Sequence, residues 1–336
     1  MKKLKRIFAV FFCLLLASGI LGGCGKAASS SAPALSASQS GSKPLKIVTT
    51  IFPEYDWVRE ILGDKADHAE VTMLLDNGVD LHSYQPTADD IIKISDCDLF
   101  IYVGGESDGW VEDALKEAAN KDMQVINLLD MLGEQVKEEE VVEGMEAEEE
   151  ESEDEDEPEY DEHVWLSLKN AETLCNAITD ALEEIDPANK DAYAANAASY
   201  LEKLAALDGE YQTVVDNAAR KTVLFGDRFP FRYLVDDYGL SYYAAFAGCS
   251  AETEASFETI SFLAGKVDEL GLPCVLTIEG AQHKIAETIV QNSAAKNQSI
   301  LPLDSMQSTT SADAANGTTY LSVMESNLDV LKQALN

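Results

Sequence analysis

Short apolar runs alternate with helical patterns along most of this chain, and that alternation limits its fold more than any other feature. The runs are 45–51, 71–75, 98–103 and 124–128, then 222–226, 242–247, 274–278 and 299–303. Each is too short for a helix and is bounded by turn residues, so each predicts a buried strand. Four strands in each half, with helices between them, predict an α/β protein of two lobes, each with a roughly four-stranded parallel sheet flanked by helices. Between the halves, in residues 187–220, Tyr193, Ala197, Tyr200, Leu204, Leu207, Tyr211 and Val214 recur at steps of four and three. That spacing predicts one long, rigid amphipathic helix joining the lobes, with Gly209 as its weak point. A coiled-coil seam is the competing reading, disfavoured because the stripe is short. The expected division is an N-terminal lobe at 45–186, a connecting helix at 187–220 and a C-terminal lobe at 221–336.

Residues 1–23 pass from a basic stretch through an apolar core to small residues, the pattern of a secretion signal. Leu21, Gly22, Gly23 and Cys24 resemble the lipobox of bacterial lipoproteins, in which cleavage leaves the cysteine as a lipid-carrying N-terminus. Cys24 is thus the expected anchor, on the extracytoplasmic face of the cell membrane. Residues 24–44, rich in Ser, Ala and Gly, are expected to be a flexible tether.

The chain has 24 Lys+Arg against 61 Asp+Glu, a net charge of −37, and removing Lys2, Lys3, Lys5 and Arg6 with the signal leaves −41. Such a balance excludes nucleic acid and an anionic membrane surface as partners. Much of the excess lies in residues 138–162, which hold seventeen acids and no base. A block of that composition is expected to be a disordered loop. Beyond Cys13 and Cys24 the thiols are Cys97, Cys175, Cys249 and Cys274, with no CxxC spacing to suggest a thiolate zinc knuckle or a redox motif. Cys97 and Cys175 read as small buried positions, while Cys249 and Cys274 are candidates for a disulfide.

There are only four histidines. His82, in GVDLHSYQPTADD, and His163, in DEHVWLSLKNA, stand in acidic, turn-rich settings where the chain leaves apolar structure. Two neutral imidazoles joined by carboxylates make a site for a borderline divalent cation. Thr87 and Asp90 form a capping-box signal, so a helix starts just after His82. His82 therefore follows the end of the second strand, where open α/β sheets bind their ligands. The aromatics Phe52, Tyr55, Trp57 and Trp110 read as packing residues.

With these motifs the chain resembles the cluster A-I solute-binding lipoproteins of bacterial zinc and manganese ABC importers. In that family a Gly-x-Asp-x-His-x-Tyr-x-Pro segment supplies one metal ligand, which falls on His82, and Asp-x-His-x-Trp-Leu supplies another, which falls on His163. A carboxylate after the last long strand falls on Asp304. The resemblance implies two lobes joined by a rigid helix, a monomer anchored to the membrane, and delivery of the ion to an ABC permease. Just ahead of the second motif, zinc importers of the family often carry a His-rich loop, and the acidic block here occupies that place.

The family's third ligand, His for zinc or Glu for manganese, falls on Arg228, and an arginine does not ligate a metal. His283 is the expected replacement, with Asp227 and Glu279 as alternatives, while His68 reads as an exposed surface residue. The expected ligand set is thus His82, His163, His283 and Asp304. Three imidazoles and one carboxylate favour Zn2+; two imidazoles and two carboxylates would lean toward Mn2+. A metal-dependent hydrolase is the alternative of another class, but HExxH, GxSxG and a phosphate-binding glycine loop are all missing from the sequence. The chain is therefore not expected to be an enzyme. A surface adhesin fits the lipid anchor but gives no reason for the histidine pair.

Overall fold

The computed structural model describes residues 43–146, 159–250, 254–280 and 282–336. The signal at 1–23, Cys24, the tether up to residue 42 and residues 147–158 of the acidic block lie outside the described residues. All eight runs read from the sequence form strands. In the first half β1 (Leu45–Thr49) pairs in parallel with both β2 (Ala69–Met73) and β3 (Leu99–Tyr102), and β3 pairs with β4 (Gln124–Asn127), in the order β2-β1-β3-β4. Ile47 lies opposite Val71 on one side and Leu99 on the other, so β1 is an inner strand. The strand order reverses beside β1, which makes this edge of the sheet a switch point where loops diverge and leave a crevice.

The second half is built as two parallel pairs. They are β5 (Thr222–Leu224) with β6 (Ser241–Tyr243), and β7 (Cys274–Thr277) with β8 (Ser299–Pro302). One isolated bridge, Phe225 to Leu276, joins the pairs, and Gly226 N–H donates to the Leu276 carbonyl at 2.8 Å. The four strands thus run β6-β5-β7-β8, the order of the first sheet repeated, with the middle seam reduced to a single bridge. Crowding just beyond β5 is severe: a Cβ on Gly226 would lie 2.6 Å from the Ala286 Cα.

Eleven helices appear among the described residues. α1 (Phe52–Leu62), α2 (Ala88–Ser95), α3 (Val111–Lys116), α4 (Leu128–Leu132) and α5 (Leu168–Ile185) belong to the first half. α6 (Lys190–Asn217) follows, and then α7 (Arg232–Tyr238), α8 (Phe257–Leu270), α9 (Lys284–Asn292), α10 (Ser311–Ala315) and α11 (Tyr320–Ala334). The capping box of Thr87 and Asp90 starts α2 as expected. Phe52 and Trp57 are buried in α1, and Trp110 packs edge-on against Tyr84. α6 is continuous for 28 residues, about 42 Å at 1.5 Å per residue. Its buried stripe follows the sequence reading as far as Tyr211, then takes a four-residue step to Val215 instead of Val214.

One hydrophobic cluster runs from Ile47 in β1 to Leu335 beyond α11, so the two halves share a core. Tyr320 fastens that seam: its N–H donates to Asp56 Oδ2 at 2.8 Å and its hydroxyl to the Trp165 carbonyl at 2.7 Å. Trp165 Nε1–H in turn donates to the Ser305 carbonyl at 2.9 Å. Each of these groups is buried, so losing one partner would leave a dry polar atom and destabilise the fold by about 1–3 kcal/mol.

The acidic block departs from expectation at both ends. Residues 138–146 pack against the second half: Met145 is buried, Glu146 bridges Phe246, and Glu140 pairs with Arg232. Gly144, at φ +83°, allows the approach, since a Cβ there would lie 2.0 Å from Phe262 Cδ1. Residues 161–163 are buried as well. Charge count alone concealed the few anchors, Met145 and Gly144, that tie the segment down. All four described cysteines are free thiols; Cys97 and Cys175 are buried as read, and Cys249 does not pair with Cys274.

Gly209 lies exposed in the middle of α6 with open space around its Cα. Gly209→Ala should therefore stabilise the protein by about 1 kcal/mol, read as a higher urea midpoint with an unchanged slope.

Candidate metal centre

Two similar turns carry the two histidines. In the loop after β2, the Asp80 carboxylate accepts the His82 amide at 3.0 Å and caps a single helical turn, Leu81–Ser83, that buried Leu81 pins to the core. In the second, the Asp161 carboxylate accepts the His163 amide at 2.8 Å, and the following turn Val164–Leu166 is wholly buried. An aspartate two residues before each histidine thus builds both turns. The Tyr233 hydroxyl donates to the Asp161 carbonyl at 2.8 Å, so α7 of the second half holds the second turn.

The two rings meet Nε2 to Nε2 at 3.1 Å. Two nitrogens bound to one tetrahedral zinc at about 2.0 Å each would stand about 3.3 Å apart, so the pair already has the spacing of a shared ion. Both Nδ1 atoms face outward to oxygen: His163 Nδ1 lies 3.0 Å from Asp161 Oδ1, and His82 Nδ1 lies 2.9 Å from Ser107 Oγ and 3.4 Å from Glu162 Oε2. That is how metal-binding imidazoles are usually braced. Glu162 is fixed by the Ser107 amide at 2.9 Å, and Gly105 clears room for it, since a Cβ there would fall 2.2 Å from Glu162 Oε1.

Tautomers follow from these partners. His163 donates Nδ1–H to Asp161 and leaves its Nε2 as an acceptor. His82 then donates Nε2–H to His163 and accepts from the Ser107 hydroxyl. Glu162 Oε2 is left buried without a hydrogen bond. An ion on both Nε2 atoms would move the His82 proton to Nδ1, within reach of that orphaned oxygen. The site is one tautomeric shift from readiness.

Burial, then the neighbouring His163, pushes His82 down to about 3, so the ring is neutral and able to ligate at neutral pH. Burial pushes Glu162 up despite the Ser107 hydrogen bonds, and pushes Asp108, beside it, up to about 7. Burial also acts to raise Asp80, but the Arg228 guanidinium, by charge and hydrogen bond, holds it below the usual carboxylate range.

His82 and His163, expected from sequence, are brought together. Among the described residues the group of His, Cys and carboxylate atoms tight enough to hold an ion is His82, His163 and Cys249, whose ligand atoms all lie within 4.8 Å of one another. His283 and Asp304 are not in that group. His283 stands at the N-cap of α9, with its Nδ1 buried and without a hydrogen bond. Asp304 Oδ1 accepts the Met306 amide at 2.8 Å, and burial together with the nearby Glu279 pushes its carboxyl up to about 6. Of the alternatives, Asp227 accepts the Arg228 amide at 2.9 Å, and Glu279 accepts the Ser305 amide at 2.7 Å. Each carboxylate is already employed in fixing its own loop. Arg228 pairs with Asp80, and His68 is exposed, as read. Sequence reasoning missed Cys249, which has no motif spacing, and the bracing residues Ser107 and Glu162. A cavity of about 270 Å3 reaches His82 and is lined also by Ser107, Glu162, Cys249, Glu106 and Glu159 among others.

Comparison with known proteins gives a consistent picture. The family model for the periplasmic zinc-uptake complex component A matches residues 47–334. The zinc-binding lipoprotein AdcA of Streptococcus pneumoniae is 34% identical over 290 residues, covering 86% of this chain and 55% of its own length. This chain therefore spans about half the length of the AdcA relatives. The high-affinity zinc uptake system protein ZnuA of Bacillus subtilis is 32% identical over 337 residues, covering 99% of this chain and 98% of its own. The crystal structure of the Zn(II)-bound ZnuA-like domain of S. pneumoniae AdcA superposes with a TM-score of 0.67 at 30% identity, over 87% of this chain and 98% of that domain.

His163 is fully buried, whereas His82 keeps about a tenth of its side-chain surface exposed. His163→Ala should therefore destabilise the ion-free protein by about 2–3 kcal/mol, through the cavity and the stranded Asp161 carboxylate. His82→Ala should cost less than half of that, measured by urea unfolding in the presence of a chelator.

Proposed function

This chain belongs to the family of zinc-uptake complex component A proteins, and from that premise we propose that it captures zinc outside the cytoplasm and delivers it to the ABC permease of the same importer. The observation that carries the reading is the His82–His163 pair, with facing Nε2 atoms 3.1 Å apart and Nδ1 atoms braced by carboxylate and hydroxyl oxygens. A structural role explains this arrangement poorly, because two facing imidazole nitrogens disfavour charging one another and gain only one hydrogen bond. A cation between them relieves both problems. The fold's repeated switch-point geometry and the names of the relatives support the same reading.

Zinc is the substrate here, not a resident cofactor, so the site has to hold it firmly and release it at the permease. The neutral state of His82 suits capture, since that nitrogen needs no deprotonation at neutral pH. The carboxylates of Glu106 and Glu159 along the cavity attract a cation toward His82. The family is one of metal-binding proteins and not of enzymes. A set in which His283 and Asp304 complete the coordination would require both side chains to leave their present positions and approach the pair.

Elemental analysis of the purified protein, with a competition titration of zinc against manganese, tests the reading. Wild type should bind one zinc ion tightly, and His82→Ala should weaken that binding by two orders of magnitude or more, since it removes a ligand where even an outer partner is worth about 10–100-fold. Zinc affinity unchanged in His82→Ala would overturn the assignment. Anchoring through Cys24 is proposed with it: Cys24→Ala should release the protein from membranes into the medium, and continued retention would refute the lipid anchor.

A further inference from the structure

We infer that Cys249 supplies a sulfur ligand to the captured ion, so that the site is a His82–His163–Cys249 triad selective for borderline and soft divalent cations. The inference rests on the metal-capture reading above and specifies which ion the site prefers and why.

Four observations carry it. The Cys249 sulfur and a nitrogen from each histidine all lie within 4.8 Å of one another. In a tetrahedral zinc site, with about 2.0 Å to nitrogen and 2.3 Å to sulfur, a nitrogen and a sulfur stand about 3.5 Å apart, so each sulfur–nitrogen distance has at most about 1.3 Å to shorten. Second, Cys249 lines the same cavity as His82 and is a free thiol. Third, its loop is held against the histidines. The Cys249 amide donates to Glu139 Oε1 at 3.0 Å, and the preceding Gly248 lies so close to His163 that a Cβ would fall 3.1 Å from the His163 Nδ1 and 2.9 Å from the Phe229 carbonyl. A side chain at 248 would push the thiol away from the pair. Fourth, the turn after β5 cannot supply a ligand as it stands: Arg228 is engaged by Asp80, and Asp227 is bound to backbone amides.

The bland alternative is that Cys249 is a small half-buried packing residue, the usual fate of a free cysteine. Packing alone gives no reason for its sulfur to lie within 4.8 Å of a ring nitrogen of each histidine while its residue also lines a cavity rich in carboxylates. When the ion binds, the sulfur–hydrogen bond is replaced by a sulfur–metal bond and the proton leaves to solvent, with no change of oxidation state. Thiolate and imidazole together suit zinc or cadmium, whereas manganese prefers oxygen.

Cobalt(II), a spectroscopic stand-in for zinc, tests this without any substitution. The wild-type cobalt complex should show thiolate-to-metal charge-transfer absorption in the near ultraviolet, and Cys249→Ser should abolish it. Zinc and cadmium affinities should fall by about 100-fold or more in Cys249→Ser, more than the roughly 10–100-fold expected of an outer partner, with manganese affinity changed by less than about tenfold. His283→Ala should bind zinc as wild type does. Absence of the charge-transfer band from the wild-type complex would overturn the sulfur ligand, and so would zinc affinity kept in Cys249→Ser but lost in His283→Ala. In either case the capture reading stands, provided His82→Ala still loses zinc; failure of the wild type to bind zinc at all would remove both.

Discussion

Parallel pairing obliges every strand of a sheet to end at the same edge, and this constraint governs the rest of the molecule. The loop after β2 brings His82 there, the loop after β3 brings Ser107, and the loop after β6 brings Cys249. None of these residues is near another in sequence. Their meeting depends on the shared order β2-β1-β3-β4 and β6-β5-β7-β8, and on a common core that fixes one half against the other. The long helix α6 and the Tyr320 hydrogen bonds keep that relation constant.

Charge around the histidines is arranged with little tolerance. Asp161, Glu162, Glu139 and Asp80 bring acidic oxygens to a site where burial removes most of the water that would screen them. Arg228 neutralises Asp80, and burial drives Glu162, Glu139 and Asp108 toward their protonated forms. A divalent cation entering this environment meets acceptors that already lack partners, of which Glu162 Oε2 is the clearest case. Its binding therefore satisfies atoms that the ion-free protein leaves unsatisfied, besides gaining the direct bonds to its ligands.

Much of this was legible in the sequence. Short apolar runs located the strands among the described residues, most plainly inner ones such as β3 and β7, since a strand buried on both faces has no polar side to blur the signal. The stripe on α6 was visible for the opposite reason, one buried face set against a polar one, and it erred only where a four-residue step replaced a three-residue one. His82 and His163 stood out by rarity and by the aspartate two positions before each. Cys249 did not, since its position depends on a loop packing across from the other half and leaves no local spacing. The acidic segment misled for a related reason: Met145 and Gly144 hold it down through contacts with α8 and the strand region near Phe246, which composition cannot express. His283 was attractive as the last unassigned histidine near a strand end; it stands at the N-cap of α9, outside the group formed by His82, His163 and Cys249.

The seam fastened by Tyr320 has a further consequence, which is kinetic. A body whose two halves share one apolar cluster has no soft hinge, so wide separation of the halves would expose that cluster and proceed slowly. Release of a captured ion would then begin in smaller units, the turn at 227–228 and the loop at 247–250, which are tied in by the Arg228–Asp80 pair and the bond from the Cys249 amide to Glu139 as well as by buried side chains. Residence time would be set by what touches those two loops. A docking partner that pulled Arg228 off Asp80 could hasten the departure of the ion while the greater part of the protein stayed still.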